Sequence, residues 1–146
     1  MMPDNFVAPR PRPLFLMTDF GRTDHYVAAM KAVILGRCPD VQFIDITHEV
    51  PPQGVAQGCY LLESIEPWLP PESVVLAVVD PGVGTAREAA VFCAEGRLYV
   101  GPNNGLFGFL PGATPGRRLD RPEFWLPETS HTFHGRDIFA PCAAYL

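Results

Sequence analysis

The sequence predicts an α/β domain, with helices on both faces of a mostly parallel or mixed central sheet in a three-layer α/β/α arrangement. Three observations point there. Strand-like and helix-like segments alternate through the first half of the chain, the pattern of parallel strands joined by crossover helices. The strand candidates at 14–17, 41–46 and 74–79 are short apolar runs, and the β-branched run at 74–79 suits a strand covered on both faces. Each runs into a polar cluster punctuated by Gly or Pro, which cannot extend a strand.

Length and composition bound the answer. At 146 residues the chain is one domain by size, long enough to bury a core. It is 47% hydrophobic and 18% charged, as globular proteins are. Its 17 prolines fall mostly between apolar runs, so they mark strand and helix ends rather than disorder. The net charge of −5, with no basic run, argues against a nucleic-acid partner. No apolar run is long enough to span a bilayer, so no membrane partner is expected, and the N-terminus lacks the apolar core of a signal peptide. Cys38, Cys59, Cys93 and Cys142 are widely spaced, three of them in apolar contexts, and read as free core thiols of a reducing compartment. These features predict a cytoplasmic protein.

In order, residues 1–13 are Pro- and Arg-rich and read as a disordered lead-in to a domain over 14–146. The strand at 14–17 ends at Thr18-Asp19-Phe20-Gly21. Thr23 or Asp24 can cap a helix whose apolar positions Tyr26, Val27, Met30, Val33 and Ile34 recur at helical spacing; Gly36 and Pro39 end it. The strand at 41–46 runs into Thr47-His48-Glu49-Val50-Pro51-Pro52. A second helix, about 55–68, places Val55, Cys59, Leu62 and Ile65 on one face. The strand at 74–79 meets Asp80-Pro81-Gly82-Val83-Gly84-Thr85. Residues 89–93 and 98–100 read as a strand pair around Glu95-Gly96. Gly101-Pro102-Asn103-Asn104-Gly105 is a tight turn into a short helix at 106–110. A Pro/Gly loop covers 111–118, a weak strand 118–119, and 124–126 is ambiguous. Asp137 is a candidate N-cap for a last helix from Ile138. That helix stops on Tyr145-Leu146 with no capping signal, so a further domain is expected beyond it.

Polar residues therefore gather at strand ends: Asp19, Asp45 with His48, Asp80 with Arg87, and His134 with Arg136 and Asp137. If the first three strands are parallel, Asp19, Thr47-His48 and Asp80 share the carboxyl rim, where open α/β sheets bind ligands. Asn103, Asn104 and the His134 loop can close around it, making a binding cleft. Each signal also has a blander reading. Asp80 and Arg87 can be a hairpin turn with a surface ion pair. Asp19-Phe20-Gly21 matches a kinase element, but only 18 residues precede it, too few for a nucleotide loop and strand lysine. His131 and His134 have a metal-like spacing but lack the other ligands of a site. The Gly82–Gly84 turn lacks the lysine of a phosphate loop. His25 reads as a solvent-facing helix residue and His48 as a loop hydrogen-bonder.

Six motifs in order make the chain resemble the N-terminal domain of the S-adenosylmethionine hydroxide adenosyltransferases, a family that includes fluorinating and chlorinating enzymes. They are Thr18-Asp19-Phe20-Gly21 with Asp24 and Tyr26-Val27; Met30-Lys31; Asp45-Ile46-Thr47-His48 with Pro51-Pro52-Gln53; Val79 to Thr85 with Arg87; Gly101-Pro102 with Asn104-Gly105; and Thr132 to Pro141. The resemblance covers roughly 14–146. It implies attack of water or hydroxide on the ribose C5′ of S-adenosylmethionine, giving adenosine and L-methionine, with no metal or redox cofactor. It assigns the catalytic set to Asp80, Arg87 and His134. Substrate binding falls to Asp19, which meets the ribose, with Phe20, Asp24, Asn104 and Gly135. It also implies a β-rich C-terminal domain, absent here, and a homotrimer whose sites lie between subunits, so this chain by itself is expected to be inactive.

The residue types suit that chemistry. A sulfonium is already a good leaving group, so a positioned nucleophile matters more than an acid. A carboxylate and an imidazole can orient a water and accept its proton, and a guanidinium favours hydroxide character. Paired with Arg87, Asp80 is the poorer base and His134 the better, though which takes the proton is open. The charge of Asp80 would repel a halide, favouring water over the chlorinase-like alternative. A non-catalytic module is the rival of another class. Two departures from the family pattern stand out: Asn103 and Gly54 occupy positions where Asp is common.

Overall fold

A computed structural model describes residues 12–112 and 116–146, so most of the expected lead-in lies outside the described residues. Six strands form one sheet in the order β2-β1-β3-β5-β4-β6. They are β1 (Pro13–Thr18), β2 (Gln42–Thr47), β3 (Val74–Val78), β4 (Ala89–Ala94), β5 (Arg97–Pro102) and β6 (Arg117–Arg118). β1 pairs in parallel with β2 and β3, and β3 with β5, while β4 runs antiparallel to β5 and β6. The sheet is thus mixed, and the parallel half was legible in the early strand–helix alternation.

Side-chain alternation along the strands builds two cores. On β1 and β3, Phe15, Met17, Val75 and Ala77 face one side, where Leu62 of α2 (Val55–Ile65) packs with Val50, Leu106 and Phe107. Leu14, Leu16, Val74, Leu76 and Val78 face the other. There they meet Met30 and Ile34 of α1 (Tyr26–Arg37) and Ala140 and Ala143 of α3 (Ala140–Ala144). Both faces of the central strands are therefore covered, giving the three α/β/α layers.

Several local expectations are corrected. The N-cap of α1 is His25 and makes no side-chain cap bond; Thr23 and Asp24 lie exposed ahead of it. The second helix ends at Ile65 and tightens to a 3₁₀ turn, Glu66–Trp68, which carries Pro67 in its first turn. Residues 106–110 form turns, with Gly108 N–H donating to Gly105 and Leu110 N–H to Phe107, rather than a helix. Of the four free cysteines only Cys142 is buried; Cys93 is exposed, because its β4 neighbour Phe92 takes the core side.

The last helix differs most. It opens as a π-helical turn, Gly135–Phe139, with His134 as N-cap, and Ala140 N–H donates five residues back to the Gly135 carbonyl. Pro141 has no N–H to give the Asp137 carbonyl, so an ordinary helical bond there is impossible. That carbonyl instead accepts from Leu126 N–H at 2.9 Å. Asp137 is therefore inside the helical segment, not its cap.

Candidate active site

Parallel pairing sends the carboxyl ends of β1, β2, β3 and β5 to one rim of the sheet. Asp80 follows β3 by two residues. Its chain direction is fixed by Asn104, whose Nδ2 donates to the Val79 carbonyl at 2.9 Å while its Oδ1 accepts from Leu106 N–H at 3.2 Å. Asn104 thus ties the turn after β5 to the end of β3.

Arg87 is the hub. Its Nε donates to Asp80 Oδ1 at 2.8 Å and its Nη2 to Asp80 Oδ2, a two-point pair. Only 11% of the Arg87 side chain and 5% of that of Asp80 are exposed. Nη2 also donates to His134 Nδ1 at 2.9 Å, and the guanidinium lies over the Phe139 ring, 5.2 Å from its centre. Arg87 cannot accept a hydrogen bond, so His134 Nδ1 must be the acceptor and the neutral ring carries its proton on Nε2. Burial, then the Arg87 charge, hold the His134 imidazole below its ordinary range, against the pull of Asp80.

The His134 loop is braced from behind. Asp137 is fully buried; its Oδ2 accepts from Ser130 N–H at 2.8 Å, and its Oδ1 accepts from Arg136 Nε at 2.6 Å. Burial works to raise the Asp137 carboxyl, but Arg136 and Ser130 outweigh it and hold it below the usual range. Ser130 Oγ in turn accepts from Phe133 N–H at 2.9 Å. Gly84, at φ +75°, brings the Asp80–Arg87 loop against this one: a Cβ there would lie 2.5 Å from the His131 carbonyl oxygen.

Asp19 follows β1 and is half-buried. Its Oδ2 accepts from Gln53 N–H at 2.8 Å and its own backbone N–H also bears on the carboxylate, leaving further lone pairs for a ligand. Burial raises its carboxyl above the ordinary value, the Gln53 bond opposes this, and the nearby Asp80 charge adds to it. Phe20 packs edge-on to Tyr26 and Phe133, with ring centres 6.1 and 5.7 Å away. Gly135 lies beneath it, where a Cβ would come 3.2 Å from Phe20 Cζ and 3.3 Å from Met30 Sδ.

The structure therefore brings Asp80, Arg87 and His134 into one bonded set, with Asp19 within reach of the Asp80 charge. Asn104, Phe20 and Gly135 frame that set, whereas no hydrogen bond or ion pair among the described residues ties exposed Asp24 to it. Asn103 Nδ2 faces Glu88 Oε2 at 3.5 Å, so an aspartate there would set two carboxylates against each other. Sequence reasoning missed Phe139 beneath Arg87 and the bracing by Ser130. The run Thr132-Phe133-His134-Gly135-Arg136-Asp137 carried the signal, but which atoms meet across the loops was not readable from it. A separate groove of about 520 Å³, lined by residues such as Val91, Leu119, Phe124 and Tyr145, lies by the β4–β6 edge and holds none of these side chains.

Residues 14–146 match the SAM hydroxide adenosyltransferase N-terminal domain. The chain is 47% identical over 146 residues to the (R)-S-adenosyl-L-methionine hydrolase of Thermus thermophilus, covering 92% of this chain and 56% of that protein. It is 45% identical to the enzyme of the same name from Salinispora tropica, covering 96% and 54%. An uncharacterized conserved protein from Thermotoga maritima has the same fold, with a TM-score of 0.85 at 39% identity over 90% of this chain and 53% of that one. The chain spans about half the length of the curated relatives it matches. On these grounds it belongs to the SAM hydroxide adenosyltransferase family, as an N-terminal domain of that family.

Proposed function

We propose that the protein hydrolyses S-adenosyl-L-methionine to adenosine and L-methionine. The observation that carries this reading is the part-buried, hydrogen-bonded Asp80–Arg87–His134 set at the sheet rim, with the Asp19 carboxylate beside it. Asp19 accepts the ribose hydroxyl hydrogens and places C5′ over the set. Water attacks C5′ as the C5′–S bond breaks, and the bonding pair leaves with sulfur as the neutral thioether of methionine. As the C5′–O bond forms, the attacking oxygen loses a proton to solvent, which leaves adenosine neutral. His134 has its accepting nitrogen occupied by Arg87, so in this arrangement it presents Nε2–H and orients the water. Taking up the proton on Nδ1 would require Arg87 to release that nitrogen. Asp80 keeps its carboxylate charge close to the nucleophile and disfavours a halide in the same place.

The sulfonium supplies its own leaving group, so the reaction as proposed needs no metal or redox cofactor. Four free thiols favour the reducing cytoplasm as its compartment. The family likeness suggests a homotrimer for the longer protein.

The test is product analysis. Incubation of the domain, extended by the C-terminal domain that the family resemblance implies, with S-adenosylmethionine, followed by chromatography, is expected to yield adenosine and methionine in equal amounts. Arg87→Lys, which keeps the charge but cannot hold both Asp80 oxygens and His134 at once, is expected to lower the rate by about 100-fold. A chlorinated nucleoside formed in chloride buffer, or undiminished turnover in Arg87→Lys, would overturn the reading.

A further inference from the structure

His48 lies behind the Asp19 loop and takes no part in the reaction proposed above. It is only 3% exposed, and both ring nitrogens are engaged. Nδ1 is 2.8 Å from Thr18 Oγ1, and Nε2 is 2.9 Å from Asp45 Oδ1. Thr18 is fully buried, and its Oγ1 accepts from Phe20 N–H at 3.2 Å. With the ring neutral, one direction satisfies every group. Phe20 N–H donates to Thr18, the Thr18 hydroxyl to His48 Nδ1, and His48 Nε2–H to Asp45. Asp45 is itself held by Lys31 Nζ at 2.8 Å.

The same segment grips the loop twice more. The His48 carbonyl accepts from Gly21 N–H at 2.8 Å, and Gln53 N–H donates to Asp19 Oδ2. Gly21 takes its φ of +72° at no steric cost, whereas Gln53 sits at φ +61°, in the left-handed region that a side chain disfavours, so the surrounding contacts hold the Gln53 backbone there. Thr18, Phe20 and Gly21 are thereby fastened on both sides of Asp19.

We propose that Thr18, His48 and Asp45 form a positioning network that fixes the Asp19 carboxylate for the nucleoside half of the substrate. This rests on the assignment of Asp19 to the ribose. The three residues do not touch the reacting atoms; they act through Asp19 and the Phe20–Gly21 backbone. Their loss should therefore weaken nucleoside binding more than it slows the chemical step.

The test compares Thr18→Val, which removes the hydroxyl at nearly constant volume, with Thr18→Ser, which keeps it. On the protein extended by the C-terminal domain, adenosine binding is followed by calorimetry and turnover of S-adenosylmethionine by adenosine release. Thr18→Val is expected to raise the adenosine Kd and the KM by about tenfold with kcat within about threefold, and Thr18→Ser to restore both constants to within about twofold. Unchanged Kd in folded Thr18→Val, or an equal loss in Thr18→Ser, would overturn the proposal. So would a fall in kcat with KM untouched. If the wild-type protein binds adenosine but releases none from S-adenosylmethionine, the hydrolase reading fails and the binding comparison still decides the network. If it binds neither nucleoside, both fail.

Discussion

Arg87 and His134 constrain each other through a single hydrogen bond, and that bond fixes a protonation state. The guanidinium donates to Nδ1, so a protonated imidazole would set two donors face to face. Burial and the Arg87 charge accordingly depress the His134 imidazole. The sign of the linkage follows. The unfolded chain takes up the proton first, as pH falls below about 6.5. The contribution of neutral His134 to stability is complete above that pH and is lost as pH falls toward the lower folded-state value. Urea denaturation measured between pH 7 and pH 5 is expected to show this loss, and His134→Asn to shed that part of it. Activity should share the acid limb, because the protonated ring can no longer accept from Arg87. A stability profile for His134→Asn that parallels the wild type would contradict this account.

The site is held together by two loops that meet, and Gly84 is where they touch. Its φ of +75° is in the left-handed region, and its missing Cβ is what lets the His131 carbonyl approach. Gly84→Ala is expected to destabilise the chain by about 1–3 kcal/mol in urea denaturation, from left-handed strain plus displacement of the His131 segment. Adenosine release should fall further than stability does, since the displaced loop carries His134. Gly96→Ala, in the β4–β5 turn away from the site, is a control, because nothing lies within 4 Å of a Cβ there although its φ of +75° carries the same strain.

Elements of this kind mark the limit of sequence reading. β1 and β3 were legible because their residues are apolar on both faces, and the half-exposed edge strand β2 from its place in the strand–helix alternation; Asp19 and Asp80 were legible because each follows such an apolar run. The Arg87–His134 bond joins positions 47 residues apart and has no local signature. Nor does the π-helical turn, although Pro141 could have signalled that the helix before it must lack a bond. Thr23 and Asp24 failed as caps because the helix starts at Tyr26, the first of its apolar positions, which leaves both of them ahead of the N-cap His25.

At the scale of the molecule, binding and stability are divided along β3. The strand lies at the centre of the parallel half, between β1 and β5, and its residues feed both cores. Asp80 is outside the strand, and its approach is set by the Asn104 bond to the Val79 carbonyl. A cavity under the sheet should therefore lower global stability without moving the site. Leu76 is fully buried and packs in the core formed with α1 and α3. Leu76→Ala is expected to cost about 2–5 kcal/mol, from lost transfer energy plus the cavity left behind. For a domain whose net stability is about 5–15 kcal/mol, that is a large fraction, so the variant should be assayed well below its transition temperature. The urea midpoint should fall while the slope stays unchanged, because the surface exposed on unfolding is nearly the same. Adenosine release per folded molecule should remain within about threefold of wild type, a change in barrier below 1 kcal/mol. Loss of activity in a fully folded Leu76→Ala protein would mean that the rim is not insulated from the core, and that the Asn104 bond alone does not hold Asp80 in place.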